Sequence, residues 1–344
     1  MPSITLTFKP KQTTKKILAD LHDRAYDVIS GRFGLGDDLE RKTLEAIGQK
    51  YGITRERVRQ IENAALTSIR KSEAFKVEQK AFEELRDYIA SLGGVVSEED
   101  LLGSISKDES TQNHIHLHLV VHDFFEKHKE DEHFKPRWSV DRATADGVHI
   151  TLKKLYESLS DDELVSEPDI VDRFINELKG VAAEYKNEEI ARRWLSISKR
   201  INSNPLGEWG RADSSNVKTR GVKDYAYLIM RKHGSPMHFR EVAKAITDTF
   251  GKKTHVATCH NELIKDQRFV LVGRGYYALR DWGYKPGVVR DVIKEILKKE
   301  GPMSKDGIVN RVLKERFLKK NTILVNLQNP KYFKKNKNGL YTIA

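Results

Sequence analysis

The stretch TLEAIGQKYGITRERVRQIENAALTSIRK, residues 43–71, predicts two helices joined by a tight turn. Leu44 and Ile47 give the first helix an apolar edge, and Gly52 supplies a residue that adopts positive φ at low cost in the turn. Thr54 is placed to cap the second helix by accepting from one of its first free N–H groups. The second helix has one apolar face, because its apolar residues recur at spacings of three and four: Val58, Ile61, Ala65 and Ile69.

The opposite face of the second helix, near its N-terminus, consists of side chains that suit DNA. In a helix-turn-helix the first turns of the second helix enter the major groove. An arginine can donate two hydrogen bonds to guanine, a glutamine can pair with adenine, and a glutamate can accept from the cytosine amino group. A helical hairpin with a solvated, salt-bridged face is the alternative, but it does not explain the register of turn glycine, cap threonine and polar cluster. The candidate base-contacting residues are Arg55, Glu56, Arg59 and Gln60.

Residues 20–72 resemble region 4 of the sigma-70 family of bacterial transcription initiation factors. The resemblance rests on GRFGL at 31–35, TLEAIG at 43–48 and TRERVRQIE at 54–62. In that family the module recognises the −35 promoter element and contacts the flap of RNA polymerase. Ala64 departs from the family pattern, since many members have a cation there. The resemblance implies base contacts by Arg55, Glu56, Arg59 and Gln60, and phosphate or positioning contacts by Thr54 and Arg57.

The composition is that of a polar, multidomain protein. A length of 344 residues gives room for two or more domains, and 38% of the residues are hydrophobic while 32% are charged. Cys259 is the single cysteine, which excludes an intramolecular disulfide and a cysteine-based zinc site. The N-terminal segment 1–16 lacks the apolar core of a secretion signal, and no later run is long enough to span a membrane. We therefore expect a cytoplasmic, nucleoid-associated protein with no membrane partner.

The net charge of +11 is unevenly distributed along the chain. Residues 1–75 have 14 basic against 10 acidic side chains, residues 76–215 have 19 against 29, and residues 216–344 have 28 against 11. The acidic centre suits a basic protein partner better than DNA. The basic C-terminal third suits the phosphate backbone of DNA, although a charge of this kind also serves solubility.

The remainder of the chain repeats a unit of about 60–70 residues. Each unit begins with an amphipathic helix, continues with two shorter helices and ends with two strands around a tight turn. The clearest hairpins are FVLVGRGYYAL at 269–279 and YFKKNKNGLYTI at 332–343. Three helices closed by a β-hairpin form a winged helix, and the first two copies, which end at Trp138 and near Trp209, are more degenerate.

The sequence thus predicts a mainly α fold, in which a helix-turn-helix domain is followed by tandem winged-helix modules with small β-hairpin wings. The predicted segments are an N-terminal tail at 1–16, the helix-turn-helix domain at 17–75, degenerate winged-helix modules at 76–145 and 146–215, a third winged helix at 216–284 and a C-terminal winged helix at 285–344.

The third unit has a second family resemblance. Residues 222–284, with GSPMHFREVA at 234–243 and GRGYYAL at 273–279, resemble the HARE-HTH domain. This winged-helix family occurs in the delta subunit of bacterial RNA polymerase and in chromatin and restriction proteins. The resemblance implies association with nucleic acid or the transcription machinery, and it transfers no catalytic residue.

Four histidines, His114, His116, His118 and His122, are crowded into residues 113–122. Their spacing places three of them on one face of a strand or a helix, as a transition-metal site would need, but the run has no carboxylate or cysteine partner. By analogy with the other units this segment is a third helix with imidazoles at the surface or on phosphates, and we predict no metal and no cofactor. Cys259 is expected to be a buried core thiol.

These patterns together predict a sequence-specific DNA-binding transcription factor of the sigma region 4-like type. It recognises a −35-like promoter element in double-stranded DNA and acts with RNA polymerase, and it is neither an enzyme nor a binder of a small-molecule substrate. Because few residues precede the region 4-like segment, we expect that it does not open a promoter alone. The alternatives are a polymerase-bound adaptor or accessory subunit that uses its modules for protein contacts, and an accessory to a DNA-processing enzyme.

Overall fold

The chain forms short helices and small antiparallel sheets, as a computed structural model that describes residues 6–284, 287–316 and 318–344 shows. The predicted mainly α fold class is confirmed. The first of two compact units extends to Asn202 and includes Trp209–Ala212, and the second consists of Ser203–Glu208 and Asp213–Ala344. None of the described helices combines the length and the apolar character needed to cross a membrane.

The N-terminal domain of the first unit is helical. Its helices are α1 (Pro10–Ile17), α2 (Asp23–Phe33), α3 (Leu44–Tyr51), α4 (Arg55–Lys71) and α5 (Glu73–Val77). Helices α3 and α4 are the predicted helix-turn-helix. Helix α3 ends at Gly52, whose φ of 62° is left-handed, and Thr54 caps α4. Helix α1 lies within residues 1–16, for which the sequence predicted a tail.

The rest of the first unit consists of two modules with three helices and a hairpin each. The first module comprises α6 (Gln79–Ser91), β1 (Val95–Ser97), α7 (Glu98–Ile105), α8 (Glu109–Val121), β2 (Glu126–His128) and β3 (Arg137–Ser139), with strand order β1-β3-β2. The second comprises α9 (Arg142–Ser158), α10 (Glu167–Glu177), a 3₁₀ turn (Ala183–Tyr185), α11 (Glu188–Ile197), β4 (Ile201–Ser203) and β5 (Trp209–Arg211).

The second unit has the same arrangement twice. The third module comprises α12 (Val222–His233), β6 (Met237–His238), α13 (Phe239–Phe250), α14 (Val256–Lys265), β7 (Phe269–Leu271), β8 (Tyr276–Leu279) and a 3₁₀ turn (Arg280–Trp282), with strand order β6-β8-β7. The fourth comprises α15 (Val289–Glu300), α16 (Lys305–Glu315), α17 (Lys320–Leu327), β9 (Phe333–Lys335) and β10 (Tyr341–Ile343).

One backbone pairing recurs in every module. The residue before the N-cap of the second helix is apolar and pairs antiparallel with an aromatic residue of the last strand. In the first and third modules this pairing is part of a strand, whereas in the second and fourth it is an isolated bridge. The first module therefore has the same strand order as the third, although its sequence is degenerate. The pairs are Val96–Trp138, Val165–Trp209, Met237–Tyr277 and Met303–Tyr341.

The helix-turn-helix domain and the first winged-helix module share one hydrophobic core. Ile69 of α4 packs in the same cluster as Phe82 of α6, Ile115 of α8 and Trp138 of β3, and all four are almost fully buried. The predicted boundary at residue 75 therefore separates two segments that are not independent in their packing.

The histidine-rich segment is helix α8, and its imidazoles lie inside the protein. The structure corrects the expectation that they are surface groups or phosphate contacts, because His114, His116 and His118 are buried. His118 Nε2 lies 2.9 Å from Thr14 Oγ1 of α1, and His116 Nε2 lies 3.6 Å from a carboxylate oxygen of Glu98. The segment had too little polarity contrast to show which side faces the core. Cys259 is buried as expected, and burial raises the pKa of its thiol to about 12.

We predict that Leu85→Ala, a change in α6, destabilises the helix-turn-helix as well as its own module. Leu85 is fully buried in the shared core, and truncating such a leucine costs about 2–5 kcal/mol. Hydrogen exchange should therefore accelerate in α4 as well as in α6. The half-exposed Leu271→Ala is the control and should leave both helices unchanged. Unaltered protection of α4 in Leu85→Ala would show that the two domains open separately.

A second prediction concerns acid stability. Desolvation lowers the pKa of His118 to about 3, so the folded protein keeps this imidazole neutral while the unfolded chain takes up a proton near pH 6.5. Stability should therefore fall as the pH falls from about 6.5 towards 3, by up to about 1.4 kcal/mol per pH unit for this group. His118→Gln should reduce that slope in urea titrations, whereas exposed His22→Gln should not. An equal slope in wild type and His118→Gln would contradict the assignment.

Candidate nucleic-acid interface

The first two turns of α4 present the predicted site residues on one exposed surface. Val58 between them is fully buried in a small cluster with Val28 of α2 and Ile47 of α3, which turns the other side of α4 to solvent. The Thr54 hydroxyl accepts from the Arg57 N–H at 3.2 Å, as the sequence predicted for the cap. The six predicted residues, all exposed, are Thr54, Arg55, Glu56, Arg57, Arg59 and Gln60.

Two side-chain pairs organise this surface. Arg59 donates to both carboxylate oxygens of Glu56, at 2.7 and 2.9 Å, and Arg57 donates to Gln60 Oε1 at 3.0 Å. The hydrogen bond from Arg59 holds the pKa of Glu56 below its ordinary value, so this carboxylate is an acceptor at neutral pH. A guanidinium has five N–H donors, so both arginines retain donors for a ligand.

A close backbone approach sets the angle between α3 and α4. A Cβ on Gly48 would lie 2.6 Å from the Ile53 carbonyl oxygen in the turn, a distance that real Cβ atoms do not reach. Any larger residue would push the turn, and with it the start of α4, away from α3. The sequence pattern identified Gly52 in this turn but not Gly48, because the constraint comes from packing and not from φ.

Polar contacts over long sequence separations hold the site in place. Arg32 of α2 donates to Glu62 of α4 at 3.2 Å and to the Lys42 carbonyl at 2.6 Å. At the other end of α4, Arg70 donates to the Val121 carbonyl at the end of α8, at 2.6 Å. The sequence analysis missed these positioning residues, since a partner 30 or 51 residues away leaves no local pattern.

The winged-helix modules differ in what their third helix offers to DNA. Helix α8 of the first module is buried under the N-terminal domain. On α11 of the second module, Arg192 pairs with Glu167 and Glu188, and Arg193 pairs with Glu189, so the arginine charges are compensated. Neither helix offers DNA an exposed, uncompensated basic surface.

The fourth module, in contrast, has a strongly basic end. Residues 316–344 include seven lysines and arginines and no aspartate or glutamate. Three of the lysines, Lys334, Lys335 and Lys337, are exposed in and beside the hairpin between β9 and β10. We refer to these three residues as the wing lysines.

These features define a helix-turn-helix domain followed by winged-helix modules. Comparison with known proteins confirms both resemblances. Residues 17–71 match the family model for region 4 of sigma-70, and residues 220–282 match the HARE-HTH model, a helix-turn-helix domain described from ASXL and restriction endonuclease proteins. Each match covers a part of the chain, and the other modules lie outside both.

Curated relatives align with the region 4-like part. An RNA polymerase sigma factor RpoD from Helicobacter pylori is 47% identical over 60 residues, and an RNA polymerase sigma factor SigA from Nostoc sp. is 48% identical over 60 residues. These alignments cover 17% of this chain, 9% of the first relative and 15% of the second. The helix-turn-helix is thus sigma factor-like, and the assignment of its six exposed residues to bases and phosphates stays a prediction.

Proposed function

We propose that this protein binds duplex DNA sequence-specifically through the first turns of α4, at a promoter element that resembles the −35 element. The observation that carries the proposal is the exposed surface of six predicted residues at the start of α4, in a segment that matches sigma-70 region 4. Arg55, Glu56, Arg59 and Gln60 contact base edges, and Thr54 and Arg57 contact phosphates.

The proposed protein partner is RNA polymerase. The relatives that align with the helix-turn-helix are sigma factors of this enzyme by name. The surplus of ten acidic side chains in residues 76–215 suits contact with a basic subunit and repels DNA. DNA and polymerase together would hold the protein on the nucleoid.

The fourth module supplies a second, sequence-independent contact to DNA in this proposal. Its basic end suits the phosphate backbone, and the wing lysines are exposed without an acidic residue nearby in sequence. Phosphate contacts of this kind add affinity and salt dependence but no sequence information.

We predict that Arg55→Ala and Gln60→Ala each lose about 1–3 kcal/mol of discrimination between the selected sequence and its single-base variants. Non-specific affinity should change little. Lys71→Ala, at the exposed C-terminal end of the same helix, is the matched control and should keep the preference. The measurement is selection of bound sequences by the purified protein, followed by titration of each variant.

The same experiment separates the proposal from the adaptor alternative. If α4 contacts protein instead of DNA, the full chain selects no sequence, and Arg55→Ala weakens co-purification with polymerase without affecting DNA. Selection of an unchanged sequence by both Arg55→Ala and Gln60→Ala would exclude α4 as the recognition helix.

We also predict that replacing the wing lysines, Lys334, Lys335 and Lys337, with alanine reduces the salt dependence of non-specific DNA binding. Each lost phosphate contact should lower the slope of log K against log salt by about 0.9, hence by about 3 for the triple variant. A control replaces three exposed lysines of the acidic centre, Lys107, Lys154 and Lys179, and should leave the slope unchanged. Equal slopes for both triple variants would assign the basic wing to solubility.

A further inference from the structure

The second unit contains a cavity whose described lining is cationic. It has a volume of about 590 Å³ and lies between the hairpin of the third module and helices α16 and α17 of the fourth. Among the described residues that line it, none has a carboxylate. These residues are Arg274, Tyr276, Leu313, Arg316, Leu318, Lys319 and Thr322.

Arg316 is the unusual member of this lining, because it is a buried cation. Its exposed fraction is 3%, and it follows the last residue of α16. Nη1 donates to the Leu271 carbonyl at 2.6 Å and Nη2 to the Gly287 carbonyl at 2.8 Å. Nε is buried and has no hydrogen-bond partner among the described residues.

Such an arginine is costly to keep without an anion. Carbonyl oxygens satisfy two of its donors but leave its charge uncompensated, and the desolvation of an unpaired buried charge costs several kcal/mol. Burial lowers the pKa of Arg316, an effect that nearby Glu315, outside the described lining, opposes. Two further cations, Arg274 and Lys319, are exposed at the same cavity.

We propose that this cavity is a binding site for a nucleotide phosphate. Three cations converge on a space within the range of about 300–1,000 Å³ that small-molecule sites occupy. Arginine forks and lysine are the groups that bind phosphate oxygens most strongly, and the Tyr276 ring lies in the same lining as a surface for a base. The phosphate belongs either to a free nucleotide or to a nucleotide of a bound DNA strand.

Occupation of the site would join two modules. Arg316 hydrogen-bonds to β7 of the third module and to Gly287 between the modules, while Lys319 precedes α17. An anion held by Arg274, Arg316 and Lys319 therefore contacts both winged helices at once. This site is independent of α4, so its failure would leave the proposed promoter recognition intact.

The test uses the full chain with inorganic phosphate, AMP, ATP and a short duplex of unrelated sequence as probes. Calorimetry and thermal unfolding should show binding of at least one phosphate-bearing probe with a raised Tm. Arg274→Ala and Lys319→Ala should each weaken binding about tenfold or more, since each removes a charge-assisted hydrogen bond. Lys298→Ala, an exposed cation at the end of α15 outside the described lining of the cavity, is the matched control.

The probes distinguish the sources of the phosphate. Saturable AMP or ATP binding that depends on Arg274 and Lys319 identifies a free nucleotide, whereas the same dependence for the duplex alone identifies a DNA strand. Arg316→Gln should abolish binding in either case, and if that variant does not fold, the two exposed positions decide. Absence of binding by every probe at millimolar concentration, or equal losses in Lys298→Ala, would overturn the proposal.

Discussion

Burial of helix α8 is the constraint on which the position of the candidate DNA-binding helix depends. The helix lies in the core that joins the N-terminal helices to the first winged-helix module, and it provides the carbonyl group that Arg70 of α4 binds. In an isolated helix-turn-helix, α4 is oriented by its two neighbouring helices alone. Here it is also oriented by a second module, whose own third helix is thereby withdrawn from DNA.

Sequence reasoning was strong where a property is local. The cap at Thr54, the turn glycine, the buried face through Val58 and the third-module hairpin follow from spacing and residue type, and the structure has each of them. The register of the α4 surface followed for the same reason, because a helix with one buried face has its polar face fixed.

Sequence reasoning was weak where a property depends on distant partners. The buried histidines of α8 look polar in the sequence, and only the packing of α1 and β3 around them makes them core residues. Gly48 is needed because of a carbonyl group five residues away in the turn. Arg316 stands in a basic segment that suggests a solvated surface, yet its guanidinium is enclosed by two modules.

The recurring pair of an apolar residue and an aromatic residue has a consequence for how the chain folds during synthesis. In every module the two partners are about 40 residues apart, so each pairing closes a loop of nearly equal length at nearly equal entropic cost. The first and third modules recover that cost with a three-stranded sheet, while the second and fourth have a single bridge to offset it. The chain thus alternates along its length between modules that close firmly as their last strand emerges and modules whose closure depends on the helices around them.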